Sequence, residues 1–391
     1  MLKKIVLEKI YLLFTIFVIG GYSVMSMLAT EHDSIYATED PLLLKLLVGM
    51  LFMMNLCYIF VNFNHIESNK IGRILLFMSV YMAIMRVITL PPTAGVLSYI
   101  YQPMKDLLIV MLFVSGYIIS SKSEELYNFY TKGMIVALLI TALYYYKNWT
   151  FANEVDQAHL GTSYYALFIL PTILLSPKKW IKYIAIVITG VVIISSFKRG
   201  GLIALVMGFV AYLFVKNVLF EKKFSTLILF VILIIILFVV LVYIDNAMGN
   251  IISQRIINIQ EDDGSGRIQV WETTWKMICR SDLEALLFGH GYNAVLNDSP
   301  LKLSAHNDFL EVLYNYGIIC FIPFVFLHIR LIQQIFAAIR TNDNRAKTMA
   351  FTYVIFIILS MISHVIVYQW ASLIALSWGL MTAPHYNQDT A

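Results

Sequence analysis

The sequence predicts an all-α polytopic integral membrane protein, with about twelve transmembrane helices and one large extracytoplasmic loop between spans 9 and 10. Of the 391 residues, 60% are hydrophobic and only 13% are charged. The apolar residues form runs of roughly 15–22, the length at which a helix crosses a bilayer core. These runs neither alternate in polarity nor contain clusters of turn residues, so the sequence does not have the pattern of a soluble β protein. Residues 1–391 are therefore predicted to form a single transmembrane domain.

The predicted spans are defined by the apolar runs. In chain order they cover residues 10–28, 42–63, 71–90, 104–120, 133–146, 160–176, 181–197, 201–215, 224–244, 309–329, 349–367 and 369–382. The first run follows Lys3 and Lys4, and a signal peptide likewise has basic residues before its apolar segment. Because so many further runs follow it, a retained first helix is the better interpretation.

The distribution of Lys and Arg predicts the orientation. With the amino terminus in the cytoplasm, the inner segments 1–9, 64–73, 121–132, 177–182, 216–223 and 330–348 hold 17 of the 28 basic residues. The first outer segment contains four acidic residues and no base. Both termini are then cytoplasmic. The net charge of +4 follows from membrane orientation and gives no support for nucleic-acid binding.

The long hydrophilic segment 245–306 is predicted to be the extracytoplasmic loop, and loops of this length usually have a function. Within it, residues 267–279 place Ile268, Trp271, Trp275 and Ile278 at helical spacing. This pattern indicates an amphipathic helix at the membrane interface, with the tryptophans among the lipid headgroups. A simple surface anchor would show the same pattern.

Basic residues at the outer ends of spans are the first candidates for a functional site. Arg199 follows span seven, with Lys198 before it and Gly200-Gly201 after it, where the backbone can approach a ligand closely. Arg86 lies four residues before the outer end of span three. Both could instead be snorkelling side chains that reach the headgroups.

His306 directly precedes span ten, in a segment rich in polar residues. Asn307, Asp308 and Glu311 follow it. Asn307 or Asp308 could act only as a helix cap. The positive end of the helix dipole disfavours a protonated imidazole at His306, and a neutral imidazole is what a general base requires. The three cysteines Cys57, Cys279 and Cys320 have no metal-binding or disulfide spacing.

These motifs together resemble the O-antigen ligase and O-antigen polymerase superfamily of bacterial membrane proteins. The resemblance covers about residues 160–330, and its pieces are Ser196 to Leu202, Gly266-Arg267 followed by Trp271, Gly289-His290-Gly291, and His306-Asn307 followed by Leu310 and Gly317. One departure is that the usual Ser-Arg pair is replaced by Phe-Lys-Arg, which leaves Lys198 and Arg199 as adjacent bases.

The resemblance implies an inverting glycosyl transfer without metal or other cofactor, at the outer face of the bacterial inner membrane. The implied donor is a glycan on undecaprenyl diphosphate, and the implied acceptor is a glycan or the lipid A core. Arg199, Arg267 and more weakly Arg86 would bind the donor diphosphate, since guanidinium groups pair with phosphates bidentately. His306 would take the proton of the acceptor hydroxyl, supported by Asn307, Asp308, Glu311, Lys198 and His290.

The sequence favours a polymerase, whose acceptor is the terminal sugar of another lipid-linked repeat unit, over a ligase. A polymerase can also have a chain-length regulator as a partner, besides the surrounding membrane lipids. A transporter or flippase for the lipid-linked glycan is an alternative of another class. Against it, the chain shows no paired discontinuous helices or inverted repeat, and its charges lie near the outer rim.

Overall fold

The computed structural model describes residues 2–30, 42–66, 69–90, 96–152, 163–196, 198–223, 225, 228, 232, 267–366 and 370–383. In these ranges all regular structure is helical. The α-helices are α1 (Leu2–Thr30), α2 (Leu42–Val61), α3 (Lys70–Thr89), α4 (Val96–Lys122), α5 (Glu124–Ala152), α6 (Ser163–Leu174), α7 (Lys179–Ser195), α8 (Arg199–Leu213), α9 (Arg267–Arg280), α10 (Leu283–Phe288), α11 (Ala294–Asp298), α12 (Asp308–Arg340), α13 (Ala346–Ile362) and α14 (Trp370–Thr382). A 3-10 turn covers Phe63–His65, and a π-helix covers Phe214–Phe220 directly after α8.

Seven of the described helices are long and apolar enough to cross a membrane, in agreement with a polytopic membrane protein. They are Ile5–Met25, Leu42–Val61, Lys70–Thr89, Val96–Lys122, Glu124–Lys147, Gly200–Phe220 and Asp308–Arg340. Three shorter apolar helices cover Ser163–Leu174, Ala346–Ile362 and Ala371–Thr382. Predicted span 224–244 and the first part of the predicted loop, up to Gly266, lie almost entirely outside the described residues. The number of twelve spans and the position of the loop therefore stay predictions.

Several helices extend beyond the apolar runs that predicted them. The run 133–146 corresponds to α5, which has 29 residues, and the run 309–329 corresponds to α12, which has 33. Polar residues such as Glu124 and Arg340 are compatible with a helix, so they end the apolar run without ending the helix. By contrast, α13 ends at Ile362, although the predicted span continues to residue 367.

The helices form two compact units, and the single transmembrane domain over residues 1–391 stays a prediction. The first unit comprises Met1–Leu202, Ile322–Gln334 and Val365–Ala391, and the second comprises Ile203–Phe321 and Ile335–His364. In the first unit every residue of α6 is buried, so this helix forms the centre of the core.

Helices α4 and α14 of the first unit pack backbone against backbone. A Cβ atom added to Gly116 would lie 2.5 Å from the carbonyl oxygen of Leu376, and one added to Gly379 would lie 2.0 Å from that of Phe113. Only glycine permits these distances. Small residues that let helix backbones approach are a common basis of helix association in membranes.

In the second unit, the segment that precedes α12 is folded around its own small core. Helices α9, α10 and α11 follow one another here. The core consists of the buried side chains Ile278, Ala294, Val295, Ala305 and Tyr314. Trp271, Met277, Leu286, Leu310 and Leu313 pack against it. The part of the predicted extracytoplasmic loop that the structure describes is therefore an ordered support for the residues around His306.

Candidate active site

His306 lies at the end of this folded segment, two residues before α12. Its side chain is exposed, whereas the preceding Ala305 is completely buried. The backbone of His306 has φ +49°, in the left-handed region that non-glycine residues seldom adopt. Such a conformation persists only where the surroundings fix it, and it occurs preferentially at functional sites. The buried neighbour and the left-handed backbone together direct the imidazole away from the core.

Helix α12 begins directly after His306 with a capped first turn. The side-chain oxygen of Asn307 accepts hydrogen bonds from the backbone N–H groups of Phe309 (3.0 Å) and Leu310 (3.3 Å). The Asn307 amide donates to the carbonyl oxygen of Met361 at 3.2 Å. Asn307 is thus the helix cap that the sequence left open as an alternative, and Asp308 is a buried residue of the first turn.

A break at Gly317 interrupts α12 and receives the Gly289-His290-Gly291 loop. Gly317 has φ +66° and ψ −177°, a region that is almost restricted to glycine. Because the helical hydrogen bonds are interrupted there, the carbonyl of Tyr314 accepts from His290 N–H (3.0 Å) and that of Asn315 from Gly291 N–H (2.8 Å). A Cβ atom at Gly317 would lie 2.5 Å from the backbone nitrogen of Gly289. The glycines of two separate motifs therefore meet in one backbone contact.

Glu311 fixes the loop before His306 from inside the protein. It is 2% exposed, and its Oε1 accepts a hydrogen bond from Ala305 N–H at 2.7 Å. Its Oε2 accepts from the side-chain amide of Asn315 at 2.8 Å, and Asn315 Oδ1 in turn accepts from Val295 N–H at 3.0 Å. Glu311 therefore positions the backbone next to His306 and leaves little of its carboxylate for an acceptor sugar.

His364, which the sequence analysis did not single out, packs against His306. The two ring centroids are 4.5 Å apart. His364 Nε2 lies 3.0 Å from Ser304 Oγ, and its Nδ1 lies 3.8 Å from Glu311 Oε1. His364 lies in the connection after α13. Burial lowers the pKa of His364 well below its ordinary value, and the positive charge of Arg267 lowers it further. The imidazole is consequently neutral near pH 7.

Helix α9 brings Arg267 to the same cluster. Trp271, one turn after Arg267, donates its indole N–H to the carbonyl oxygen of Ala305 at 2.7 Å. This bond joins α9 to the residue next to His306. Arg267 is partly buried and is close enough to His364 to affect its ionisation. The structure therefore brings Arg267 of one predicted motif together with His306 and Glu311 of another.

The predicted apolar face of this helix is divided between two environments. Ile278 is buried against the protein together with Val270 and Thr274, whereas Ile268 and Trp275 are each more than half exposed. Trp271 is an anchor for the His306 loop, and it does not lie freely on the surface. The interfacial placement of the helix stays a prediction that rests on Ile268 and Trp275.

Arg199 opens α8 and belongs to the other compact unit. The first helical hydrogen bond runs from Leu202 N–H to the carbonyl of Lys198 at 3.1 Å. Ser196 is buried, and its hydroxyl donates to the carbonyl of Ile193 at 2.7 Å. A Cβ atom at Gly201 would lie 2.9 Å from the Tyr164 ring. The start of α8 therefore packs closely against Tyr164 of α6, and Arg199 lies at a helix amino terminus, which favours anions.

Arg86 has a buried carboxylate partner. Its Nε and Nη2 donate to the two oxygens of Asp106 at 2.7 and 2.8 Å, and its Nη1 donates to Gln102 Oε1 at 3.3 Å. Arg86 is 1% exposed and Asp106 is 3% exposed. The side chain is therefore no snorkelling arginine. It joins α3 to α4 within the first unit, and diphosphate binding by Arg86 stays a prediction.

His290 bonds to a serine within the folded loop segment. Its Nε2 lies 2.8 Å from Ser281 Oγ, and its ring stacks on Tyr314 with centroids 4.1 Å apart. These contacts, with its backbone bond to α12, make it a support of the loop. In the described part of the chain, no group of three or more His, Cys, Asp or Glu side chains has the arrangement of a metal site.

Comparison with known protein families bears on the segment that holds most of these residues. A family model described as O-antigen ligase matches residues 184–325. This match confirms the resemblance to the O-antigen ligase and O-antigen polymerase superfamily. Arg199, Arg267 and His306 lie inside the O-antigen ligase segment, whereas Arg86 and His364 lie outside it. A search of curated proteins found no match. The family match supports a multi-pass membrane enzyme of O-antigen ligase or polymerase type.

Proposed function

We propose that this protein is a glycan polymerase of surface polysaccharide synthesis. It transfers a glycan from undecaprenyl diphosphate to the terminal sugar hydroxyl of another lipid-linked repeat unit, at the outer face of the inner membrane. The observation that carries the proposal is the cluster at the start of α12, where His306 is exposed beside Arg267, His364 and the buried Glu311. A base next to a phosphate-binding cation is what this transfer needs.

His306 is the proposed general base. Its neutral imidazole takes the proton of the acceptor hydroxyl as that oxygen forms a bond to the anomeric carbon of the donor sugar. The bond from the anomeric carbon to the diphosphate oxygen breaks on the opposite face, and the electron pair leaves with the diphosphate. The product glycosidic bond therefore has inverted configuration, and His306 holds the proton until solvent removes it.

The negative charge that develops on the diphosphate is assigned to Arg267, and Arg199 stays a second predicted diphosphate ligand. A guanidinium group offers two parallel donors to a phosphate and does not lose its proton, so it can take the place of a divalent cation. Arg199 lies at the amino terminus of α8, and the backbone N–H groups of a helix amino terminus favour anions. Lys198, adjacent to it, supplies a further positive charge. No metal is required in this proposal.

Glu311 and His364 are positioning residues in this proposal. Glu311 binds the N–H of Ala305, and His364 contacts Ser304 and the ring of His306. A neutral His364 can pack against His306 without adding a positive charge beside it. Both residues therefore help to fix the position of the imidazole, and neither needs to contact substrate.

A ligase that transfers the glycan to the lipid A core is the second candidate, because the matching family is described as O-antigen ligase. The donor chemistry would be unchanged, and only the acceptor would differ. The acceptor can be tested with the purified full-length chain, a lipid-linked repeat unit, and lipid A core in separate and mixed reactions.

Lipid-linked products of two or more repeat units would support the polymerase. Glycan found only on the lipid A core would support the ligase and overturn the polymerase. Absence of any new glycosidic bond, with transfer of intact lipid-linked glycan across vesicles, would contradict both and indicate a transporter. His306→Asn serves as the inactive control in each reaction.

A further inference from the structure

A basic cavity in the first unit is lined by none of the residues assigned above. It is an open cavity of about 450 Å³ lined by Lys70, Arg73, Ile74, Phe77, Pro323, Phe326 and Arg330. The first four residues belong to α3 at spacings of three, four and seven, so they form one face of that helix. The other three come from α12 at spacings of three and seven. Each helix thus contributes a stripe that is basic at one end and apolar along the rest.

The predicted topology places all three bases at the cytoplasmic end of the cavity. Helix α3 starts there with Lys70 and Arg73, and α12 runs towards the same side and reaches it at Arg330. The apolar residues Ile74, Phe77, Pro323 and Phe326 then extend from the bases into the membrane. A charged end and an apolar groove in this order match the headgroup and the acyl chain of a lipid.

Among the described residues, the positive charge of the cavity has no counterion. No acidic residue is among the described residues that line it. In the described part of the chain, Lys70 and Arg73 form no ion pair, and the Arg330 guanidinium donates from Nη1 to the neutral Gln333 Oε1 at 2.7 Å. Each base alone could be a snorkelling side chain. Three bases that face one cavity repel one another unless an anion lies between them.

The apolar part of the cavity is open to the bilayer. Phe77 is 47% exposed and Phe326 is 52% exposed. Exposed aromatic side chains on membrane helices contact lipid tails, so an acyl chain can lie between these two rings. A volume of about 450 Å³ is within the usual range of small-molecule sites and accommodates a phosphate headgroup with the first part of its chains.

We propose that this cavity binds one anionic phospholipid of the cytoplasmic leaflet, with its phosphate between Lys70, Arg73 and Arg330 and an acyl chain along Phe77 and Phe326. Basic pockets between transmembrane helices on the cytoplasmic side are suited to such headgroups. The site is independent of the proposed glycosyl transfer, and it would join α3 to α12 through a bound lipid.

The test uses the purified full-length protein, phosphatidylglycerol as the probe, and native mass spectrometry to measure the bound lipid. The wild type should retain phosphatidylglycerol in preference to phosphatidylcholine. The double variant Arg73→Gln with Arg330→Gln should bind phosphatidylglycerol roughly 25-fold more weakly, because each base near a membrane surface contributes about fivefold. The matched control is Lys178→Gln with Lys179→Gln, two exposed bases of another predicted cytoplasmic helix end, and it should bind as the wild type does.

Three results would overturn the proposal. One is equal loss of phosphatidylglycerol in the control and in the cavity variant, which would indicate attraction by net charge alone. Another is equal retention of phosphatidylcholine. The third is displacement of the lipid by millimolar inorganic phosphate, which would indicate a site for free anions. If the double variant is poorly folded, Phe326→Ala tests the acyl-chain part, and unchanged lipid binding by that variant would also contradict the proposal.

Discussion

Replacement of Gly317 by alanine tests the backbone contact on which the candidate site is built. The φ and ψ angles of Gly317 are almost restricted to glycine, and a side chain there costs about 1–3 kcal/mol of backbone strain. The added Cβ would also lie 2.3 Å from the carbonyl oxygen of Leu287. The loop and helix would have to separate, which removes the bonds from His290 and Gly291, each contributing about 0.5–1.5 kcal/mol. The combined loss is roughly 2–6 kcal/mol.

This loss is a large fraction of the 5–15 kcal/mol by which proteins are usually stable. We therefore expect Gly317→Ala to lower the Tm of the purified protein by at least several degrees and to abolish glycan chains in cells. Thermal unfolding followed by tryptophan fluorescence measures the first effect, and gel analysis of the surface polysaccharide measures the second. Gly49→Ala in α2 is the matched control, because a Cβ there meets no atom within 4 Å. A Gly317→Ala protein as stable and active as the control would refute this explanation of the glycine motifs.

Three further predictions concern charged residues and the dependence of activity on metal ions. Arg199→Lys and Arg267→Lys should each lose glycan chains almost as completely as the alanine variants, because an ammonium group lacks the planar pair of donors; normal chains at equal protein level would show that a positive charge suffices. Activity in a purified assay should survive EDTA, and a loss that magnesium or manganese restores would indicate a metal-dependent transfer. Asp106→Asn should destabilise the protein by roughly 3–5 kcal/mol, because the buried Arg86 guanidinium loses the negative charge with which it is paired. A double replacement of Arg86 and Asp106 by leucine should recover much of that stability, and an unchanged Tm in the single variant would contradict the structural role of the pair.

Much of the fold can be predicted from the length of the apolar runs alone, because an apolar run that is long enough to cross a membrane has few alternatives to a helix. The sequence could not show where helices continue into polar segments, as α5 and α12 do, since polar residues stop a hydropathy signal without breaking a helix. Nor could it show the break at Gly317. A lone glycine in an apolar run is compatible with a regular helix, and only the partner loop explains why this one is needed.

The candidate site was partly predictable for a similar reason. His306 and Arg267 could be identified from the sequence, because they are chemically reactive or charged residues at predicted helix boundaries in an otherwise apolar chain. His364 was hidden in a segment assigned to a span, although the adjacent Ser363 and His364 are a polar interruption that could have marked the end of the helix. The partner of Arg86 was also hidden, because Asp106 comes from a helix that the sequence alone does not place beside α3.

The role of His306 as a base is tested most directly by His306→Asn. Asparagine, like histidine, tolerates the left-handed backbone at this position, so the loop should keep its conformation while the base is lost. With equal protein level and equal Tm, the variant should still bind lipid-linked donor in native mass spectrometry. Its rate of glycan transfer should fall by roughly 10²–10⁴, the usual contribution of a general base. Wild-type glycan formation by His306→Asn would contradict the account and make His306 a residue of the loop structure only.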